Sequence, residues 1–381
     1  MVGLHWIAAC AAGASLALAC GRDDAGHGTG GADGSSGGTT AGTATSTGVG
    51  SSDAEGSGGS SSSAAVDGST TASEPAWVIA FEADEDIGGL LSTWGPSAAH
   101  VYAVGGQTGE GGLSVGAMLV RSAGAWSSAT LPIDTPKLNW IHGAGDTRVA
   151  VGEYGTILMR AGDDDATAWE VFGCGTVLPL WGAWVFDADD AWAVGGDGFD
   201  RPPVLCHWDG AAWTLQELPT FDVESHGLFK LFGLATDDLW AVGDAGLLLH
   251  RDAAGWSQVA IETDADLISL WGTGADTLLA VGGRAAGVLA RYDGSAWTVA
   301  DVATPGLNGS WMAPDGVAHL VGPQGGIAWV EPGSTVATIE DAPTFLTLHA
   351  VWGPGDGSLI AVGGSIDLPP PFEGIILERA P

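Results

Sequence analysis

A tripeptide, Ala-Val-Gly or a one-residue variant of it, recurs seven times between residues 103 and 363. Successive copies lie 39 to 48 residues apart, and each follows an aromatic residue. A period of about 40 to 45 residues is typical of β-propeller blades. One blade cannot bury both faces of its sheet, so the repeats must fold together as one domain. The repeated glycines are Gly105, Gly152, Gly195, Gly243, Gly282, Gly322 and Gly363.

Within one repeat, the order of residues predicts four short strands. A first-strand residue, usually aromatic, is followed by the Ala-Val-Gly strand, an aliphatic third strand and a fourth strand that carries tryptophan. Glycine-containing turns separate these segments, as in hairpins. The first-strand residue lies 11 residues before the repeated glycine in six repeats and 14 before it in the third. We expect core packing between blades for these residues, which are Trp94, Ile141, Trp181, Phe232, Trp271, Trp311 and Trp352.

The seventh repeat lacks a fourth strand, because the sequence stops soon after the aliphatic segment Ile375–Leu377. A segment with strand-like alternation, with Trp77, Ile79 and Phe81 on one face, precedes the first repeat. We therefore expect an all-β fold over residues 76–381, a seven-bladed β-propeller whose last blade is completed by the N-terminal strand. Such closure would cover the open edge of the third strand in the last blade.

Units such as Leu270-Trp271-Gly272 with Leu279-Ala280-Val281-Gly282 resemble the β-propeller repeats of secreted bacterial proteins. That group is similar to bacterial-neuraminidase-repeat propellers and to photosystem II assembly-factor-like propellers. The resemblance covers residues 76–381. It implies a binding or assembly role, often on lipoproteins, and it does not identify a ligand.

Residues 1–20 have the features of a lipoprotein-type signal peptide ending at Cys20. The apolar run from Trp6 to Ala19 is too short to span a bilayer comfortably, and small residues and a cysteine follow it. Residues 16–20, Leu-Ala-Leu-Ala-Cys, resemble the lipobox of bacterial lipoproteins, and this resemblance implies lipidation of Cys20. An ordinary cleaved signal peptide and a chance apolar start are the alternatives. We expect an exported protein of the cell envelope, anchored at the outer membrane or secreted.

Residues 21–75 are rich in Gly, Ser, Thr and Ala and contain no aromatic residue. Such a composition cannot bury enough apolar surface to fold, so we predict a disordered linker. A stalk glycosylated on Ser and Thr is the alternative interpretation.

The chain is strongly acidic, with 11 Lys and Arg residues against 46 Asp and Glu residues and a formal net charge of −35. Such a surface repels phosphate backbones and anionic headgroups. We therefore expect no nucleic-acid partner, and contact with a membrane only through an N-terminal lipid anchor.

No sequence motif for catalysis, metal binding or cofactor binding stands out. The histidines are scattered, without a metal-ligand spacing, so we expect no metal and no cofactor. A sialidase needs converging arginines, but five arginines fall at one repeated position and must spread around the ring: Arg121, Arg160, Arg251, Arg291 and Arg379.

Two other groups of residues allow two interpretations each. The run Asp163–Asp165 is a solvated turn or a calcium site. Cys174 and Cys206 form a disulfide in an oxidising compartment, or they are two separately buried thiols.

Loop insertions concentrate on one predicted face of the propeller, where second-to-third-strand turns and connections between blades meet. Insertions at residues 106–116, 196–203, 220–227 and 364–374 favour a binding surface there. Loops that have lengthened without any ligand are the alternative. The candidate contacts are Gln107, Glu110, Phe199, Asp200, Arg201, Phe221, His226, Phe372 and Glu373.

Three functional hypotheses follow. The first is a monomeric, non-enzymatic envelope lipoprotein that binds an envelope protein or a surface polysaccharide. The second is a glycan-active hydrolase or lyase, with Asp200, Asp222 and Asp367 as candidate acids at the channel mouth. The third is a passive structural module of the cell surface, which the sequence does not separate from the first.

Overall fold

The computed structural model describes residues 76–108, 114–162, 164–366 and 372–381. These residues form seven four-stranded antiparallel sheets, which are the seven blades. Strand β1 (Trp77–Ala83) precedes the first blade. Blades one, two and three are, in order, β2–β5 (Gly89–Ser97, His100–Thr108, Ser114–Ser122, Ala125–Ser128), β6–β9 (Leu138–Ala144, Thr147–Gly152, Ile157–Ala161, Glu170–Phe172) and β10–β13 (Leu180–Val185, Ala191–Gly195, Val204–Trp208, Trp213–Leu215). Blades four, five and six are β14–β17 (Leu228–Ala235, Asp238–Gly243, Leu248–Asp252, Gly255–Gln258), β18–β21 (Leu267–Gly274, Thr277–Gly282, Gly287–Tyr292, Trp297–Val302) and β22–β25 (Gly309–Met312, Ala318–Val321, Ile327–Val330, Ala337–Glu340). Blade seven contains β26–β28 (Leu348–Trp352, Leu359–Gly364, Gly374–Arg379).

The first strand of each blade lies innermost. Each of these strands contacts the first strands of both neighbouring blades, and β26 of blade seven contacts β2 of blade one. The seven first strands therefore surround a central channel, and the sequence-predicted seven-bladed propeller is confirmed.

The N-terminal strand completes the last blade, as predicted. Strand β1 pairs antiparallel with β28, and Trp77 lies opposite Arg379. Trp77 is buried, and its indole nitrogen donates to Glu340 of blade six at 2.7 Å. The last sheet thus has the order β1-β28-β27-β26 and joins the two ends of the propeller.

The repeated glycine is required by a close approach between the first and second strands of a blade. A Cβ atom on Gly282 would lie 1.9 Å from the carbonyl oxygen of Asp266, and one on Gly195 would lie 1.9 Å from that of Pro179. No side chain fits at such a distance. The Ala-Val-Gly signature therefore records backbone packing inside each blade.

The first-strand aromatic position was predicted wrongly in blades two and three. In the other blades the aromatic lies opposite the residue three before the repeated glycine, as Trp271 lies opposite Leu279. By that register the positions are His142, opposite Val149, and Trp184, opposite Trp192. In blade two the spacing from the aromatic position to the repeated glycine is one residue shorter, because its first hairpin lacks the β-bulge that follows Gly272 in blade five.

The aromatic side chains at this position in blades one to five contact one another from blade to blade. The imidazole of His142 lies 5.7 Å from the ring of Trp94 and 4.1 Å from that of Trp184, between ring centroids. A Cβ on Gly143 would lie 2.6 Å from Trp94, so the glycine after the aromatic makes room for the ring of the preceding blade. The aromatic-Gly pair is thus an inter-blade packing unit.

Cys174 and Cys206 are joined in a disulfide. Cys174 lies in the connection from blade two to blade three, and Cys206 lies in β12. The bond ties this connection to the blade that follows it.

Short 3-10 turns connect the second and third strands of blades two, four and six, at Glu153–Gly155, Asp244–Gly246 and Pro323–Gly325. Within the four described ranges, no helix has the length and apolar character needed to cross a membrane.

Candidate functional site

The second-to-third-strand turns and the connections between blades lie together on one face, which we call the connection face. In blades three, four and six the turn is hydrogen-bonded to the connection that follows its blade. Gly246 N donates to Ala265 O at 3.0 Å, and Gly325 N donates to Leu346 O at 3.0 Å. The first-to-second and third-to-fourth turns lie on the opposite face, which we call the turn face. The described residues of all four loop insertions lie on the connection face.

One side chain from each blade lines the mouth of the channel on the connection face. Each of these residues follows a buried leucine near the start of the first strand, as Trp181 follows Leu180. With Lys230, Arg284 and Ile366 they enclose a cavity of about 50 Å³, which we call the mouth cavity. The seven ring residues are Leu91, Asn139, Trp181, Phe229, Ile268, Asn308 and His349.

Lys230 is the polar centre of the mouth cavity. Its ammonium group donates to the carbonyl oxygen of Trp181 at 3.0 Å and lies 4.2 Å from the ring centroid of Trp140. Burial lowers the pKa of Lys230 from 10.5 to about 7. A cation over an indole face gains some energy from the ring quadrupole, but here it lacks the solvation of bulk water.

The other positive groups near the cavity are already paired. Arg284 Nε donates to Asp266 Oδ2 at 2.7 Å, and the ammonium of Lys137 lies 3.7 Å from Glu153. His349 is buried and bonded to Gly364 O at 3.2 Å. Burial, with smaller effects of the Lys137 and Lys230 charges, lowers the pKa of His349 to about 4, so it is neutral at pH 7.

The structure brings together the predicted contacts of blades three and four. Gly198 N donates to His226 O at 3.1 Å, so the turn holding Phe199, Asp200 and Arg201 lies against the connection holding His226. Phe199 is 57% exposed, and Asp200 and Arg201 are exposed too. Phe221 is partly buried, since its ring packs on the apolar cluster of these blades.

The carboxylate of Asp197 shapes this turn. Partial burial opposes its ionisation, but backbone N–H groups of Phe199, Arg201 and Asp200 bond the carboxylate and lower its pKa. The distances from these nitrogens to Asp197 Oδ1 are 2.9 to 3.3 Å. The turn is therefore internally ordered and presents Phe199 to solvent.

The predicted contacts of blades one and seven form a second group. Gln107, partly buried, lies near the end of β3 next to Gly88, and Glu373, exposed, directly precedes β28, at the joint between these blades. Phe372 is only 4% exposed, so it is part of the interior and does not offer a contact surface. Glu110 lies outside the described residues.

The two described candidate acids of a glycan-active site, Asp200 and Asp222, do not line the mouth cavity. Asp200 is an exposed turn residue, and Asp222 exchanges hydrogen bonds with the Gln258 side chain at 2.9 and 2.6 Å. Asp367 lies outside the described residues. Among the described residues that line the cavity, none is a carboxylate.

The candidate calcium site is only partly described. Asp164 bonds the backbone N–H of Ala166 at 2.9 Å, and Asp165 pairs with Arg160 at 3.1 Å. Asp163 lies outside the described residues. Over the ranges that the structure covers, no group of three His, Cys, Asp or Glu side chains comes together in a metal-binding arrangement.

The repeated arginines are engaged in packing at separate blades. Arg121 pairs with Glu378 at 2.9 Å, Arg379 pairs with Glu340 at 2.9 Å, and Arg291 bonds Ser334 O at 3.0 Å. They do not converge on one anion.

Sequence reasoning missed the ring at the channel mouth. The ring could have been found from a second repeated position, the buried leucine that precedes each ring residue. Six of these seven leucines lie 15 residues before the repeated glycine. The residue after each leucine varies from Leu to Trp to His, as expected of positions that face a channel rather than the core.

Comparison with known proteins shows the fold. No protein-family model matches the chain, and no curated protein matches its sequence. "YCF48 bound to D1 peptide" has 14% identity and a TM-score of 0.57, over 80% of this chain and 97% of that chain. "YCF48 from Cyanidioschyzon merolae" has 12% identity and a TM-score of 0.59, over 80% and 98%.

A third similar structure is the "WD40 beta propeller domain of Doa1", with 9% identity and a TM-score of 0.57, over 79% of this chain and 96% of that chain. The propeller part of the predicted resemblance is thereby confirmed, while the lipoprotein and neuraminidase-repeat parts stay predictions. The chain has a β-propeller fold similar to those of YCF48 and of the WD40 domain of Doa1.

Proposed function

We propose that this chain is a non-enzymatic binding module of the cell envelope that docks a protein partner on its connection face. The observation that carries the proposal is the distribution of exposed apolar side chains. Five large ones project from loops of the connection face: Ile133, Tyr154, Val177, Phe199 and Phe345. In the described part of the turn face, the loops expose one, Val336.

Two of these side chains, Ile133 and Phe345, are each 92% exposed. Large apolar groups held in water on ordered loops favour association, since docking removes their surface from solvent. Aromatic side chains are enriched at the centres of protein interfaces. The solved structure of a similar propeller, YCF48, with a bound peptide adds support for a protein partner.

The test compares capture by two triple variants of the full chain. One variant changes Ile133, Phe199 and Phe345 to Ser. The control changes Leu215, Val336 and Ile339, which are exposed apolar residues outside the loops of the connection face, to Ser. We expect one envelope protein to bind the parent and the control and to be lost from the first variant. Equal loss from both, or capture of a polysaccharide alone, would contradict the proposal.

The envelope location is a second part of the proposal. The lipobox-like sequence ending at Cys20 supports lipid anchoring, and the Cys174–Cys206 disulfide suits an oxidising compartment. Labelling with a fatty-acid analogue in a bacterial host tests it. We expect label on the parent and none on Cys20→Ser, with a Cys10→Ser control labelled like the parent; label on neither parent nor control would contradict lipidation.

A further inference from the structure

The chain contains two lysines, Lys137 and Lys230, and both lie near the channel mouth. Lys137 has a carboxylate partner, Glu153. Arg284, the other cation at the mouth, is paired with Asp266. Within the described residues, Lys230 has no carboxylate partner, and its one hydrogen bond goes to a peptide carbonyl.

The lack of a partner matters because the chain has 46 acidic residues and none of those described lines the mouth cavity. A partly buried ammonium without a counter-ion is costly, and burial accordingly lowers its pKa to about 7. A ligand that supplies one negative charge would remove this cost.

We propose that the mouth cavity binds the carboxylate group of a ligand that has an apolar body, and that Lys230 is the group that holds the carboxylate. The inference deepens the proposed function and rests on it, since the cavity opens at the centre of the connection face. The ligand carboxylate would sit against the ammonium, and the apolar body would cover Trp181, Phe229 and Ile268 at the rim.

The size and the charge of the site select a carboxylate over a polyanion. A cavity of about 50 Å³ holds a few water-sized groups, which suits a planar carboxylate. Among the described residues at the mouth, Lys230 is the one cation without a carboxylate partner, so a doubly charged phosphate would be left undercompensated. The acidic surface also repels polyanions before they reach the mouth.

Binding should weaken as the pH rises, because the carboxylate pairs only with the protonated amine. The charged and titratable groups near Lys230 are Lys137, Arg284 and His349, with Glu153 and Asp266 in their pairs. His349 is neutral from pH 6 upward, because its pKa is lowered to about 4. Affinity should therefore be highest near pH 6 and fall toward pH 9, as Lys230 loses its proton.

The first measurement compares matched probes on the unaltered full chain. Calorimetry is carried out with 3-phenylpropionate and with its amide, two probes that differ only in the charged group. We expect the acid to bind at least about tenfold more tightly than the amide, since hydrogen bonds to a charged group are stronger than neutral ones. Equal affinities, or no binding of the acid up to about 10 mM, would overturn the proposal.

The second measurement uses the two lysines as a matched pair. Lys230→Met should weaken binding of the acid at least about tenfold and leave the amide unchanged, whereas Lys137→Met should alter both less than about twofold. Carbon-13 methylation of the two lysines adds a readout on folded parent protein. The acid should raise the pKa of the Lys230 signal and leave the Lys137 signal in place; the reverse pattern would overturn the assignment.

Two sources of the carboxylate can be distinguished. A short peptide ending in Leu-Phe, with a free or an amidated carboxyl terminus, competes with 3-phenylpropionate for the cavity. Tighter binding of the free peptide than of the small acid assigns the site to a chain terminus, and binding of the small acid alone assigns it to a metabolite-sized carboxylate. If the unaltered chain captures the partner of the connection face but binds neither 3-phenylpropionate nor the free peptide, this inference fails and the proposed function stands.

Discussion

The indole nitrogen of Trp77 donates to a carboxylate oxygen of Glu340 at 2.7 Å, across 263 positions of sequence. Arg379 bonds both oxygens of the same carboxylate, at 2.9 and 3.2 Å, and its guanidinium lies 5.6 Å from the Trp77 ring. The N-terminal strand, the C-terminal strand and blade six therefore meet at one partly buried acid-indole contact. Closure of the ring depends on this joint.

Trp77→Ala should destabilise the chain by about 3 to 5 kcal/mol, because it removes a buried indole and leaves Glu340 with one partner fewer. Val78→Ala, in the same strand but 56% exposed, is the matched control and should cost less than about 0.5 kcal/mol. Urea unfolding of the full chain measures both. Equal midpoints for the two variants would mean that the strand does not close the ring.

The fold was predictable from sequence because the propeller imposes the same backbone contact in every blade. Gly282 and its six counterparts report that contact directly, and Trp77 with its alternating neighbours reports the missing strand. The two wrong first-strand assignments have a local cause. In blade two, the absence of one bulge residue shortens the spacing between His142 and the repeated glycine. In blade three, the Trp181-Gly182 pair has the sequence of an aromatic-Gly unit, but the indole of Trp181 lines the channel.

Gly282→Ala should cost about 2 to 3 kcal/mol, since its new methyl group would clash with the Asp266 carbonyl at 1.9 Å. Gly274→Ala in the same blade is the control. Its nearest neighbour would be the Asp276 side chain at an ordinary 3.5 Å, so a change below about 0.5 kcal/mol is expected. Thermal unfolding compares them. A Gly282→Ala variant as stable as the control would show that the repeat glycine has another purpose.

Loss of the Cys174–Cys206 disulfide should lower stability by about 2 to 4 kcal/mol, because the bond closes a segment with a sequence separation of 32. The Cys174→Ala, Cys206→Ala double variant and the reduced parent should unfold at similar urea concentrations, both below the oxidised parent. Reductant should not change the midpoint of the double variant. If Cys174 and Cys206 of the oxidised parent both react with a thiol reagent, the bond is absent.

His142 should make stability depend on pH below neutrality. Burial, with a smaller effect of Arg148, lowers its pKa from 6.5 to about 3, and its Nδ1 accepts the Val185 N–H at 3.0 Å. The unfolded chain takes up this proton below pH 6.5 and the folded chain does not. The stabilisation is therefore complete above pH 6.5 and is lost toward pH 3, by about 2 kcal/mol at pH 5.

The check is the variant His142→Phe, which keeps an aromatic ring at the inter-blade position. Its stability should fall about 2 kcal/mol less than that of the parent between pH 8 and pH 5. His319 and His349, whose pKa values burial lowers to about 4, remain in both proteins and cancel in the comparison. An identical fall in both proteins would mean that His142 titrates normally.

The candidate site was only partly predictable. Loop lengths pointed to the connection face, and the exposed Phe199 lies there as expected. The prediction that Phe372 is a contact residue was wrong, because loop length does not reveal which side chains point into the interior. The mouth cavity escaped notice because Lys230 and Trp181 converge only when separate blades surround one axis, a relation that spacing within a repeat does not carry.

The most direct test of the central claim, that the connection face is the binding surface, is site-specific photo-crosslinking in cells. A photoreactive residue replaces Ile133, Phe199 or Phe345 one at a time, with Val336 on the turn face as the exposed apolar control. We expect crosslinks from the first three positions to one and the same protein, and none from the control. No product from the connection face, or equal products from Val336, would contradict it.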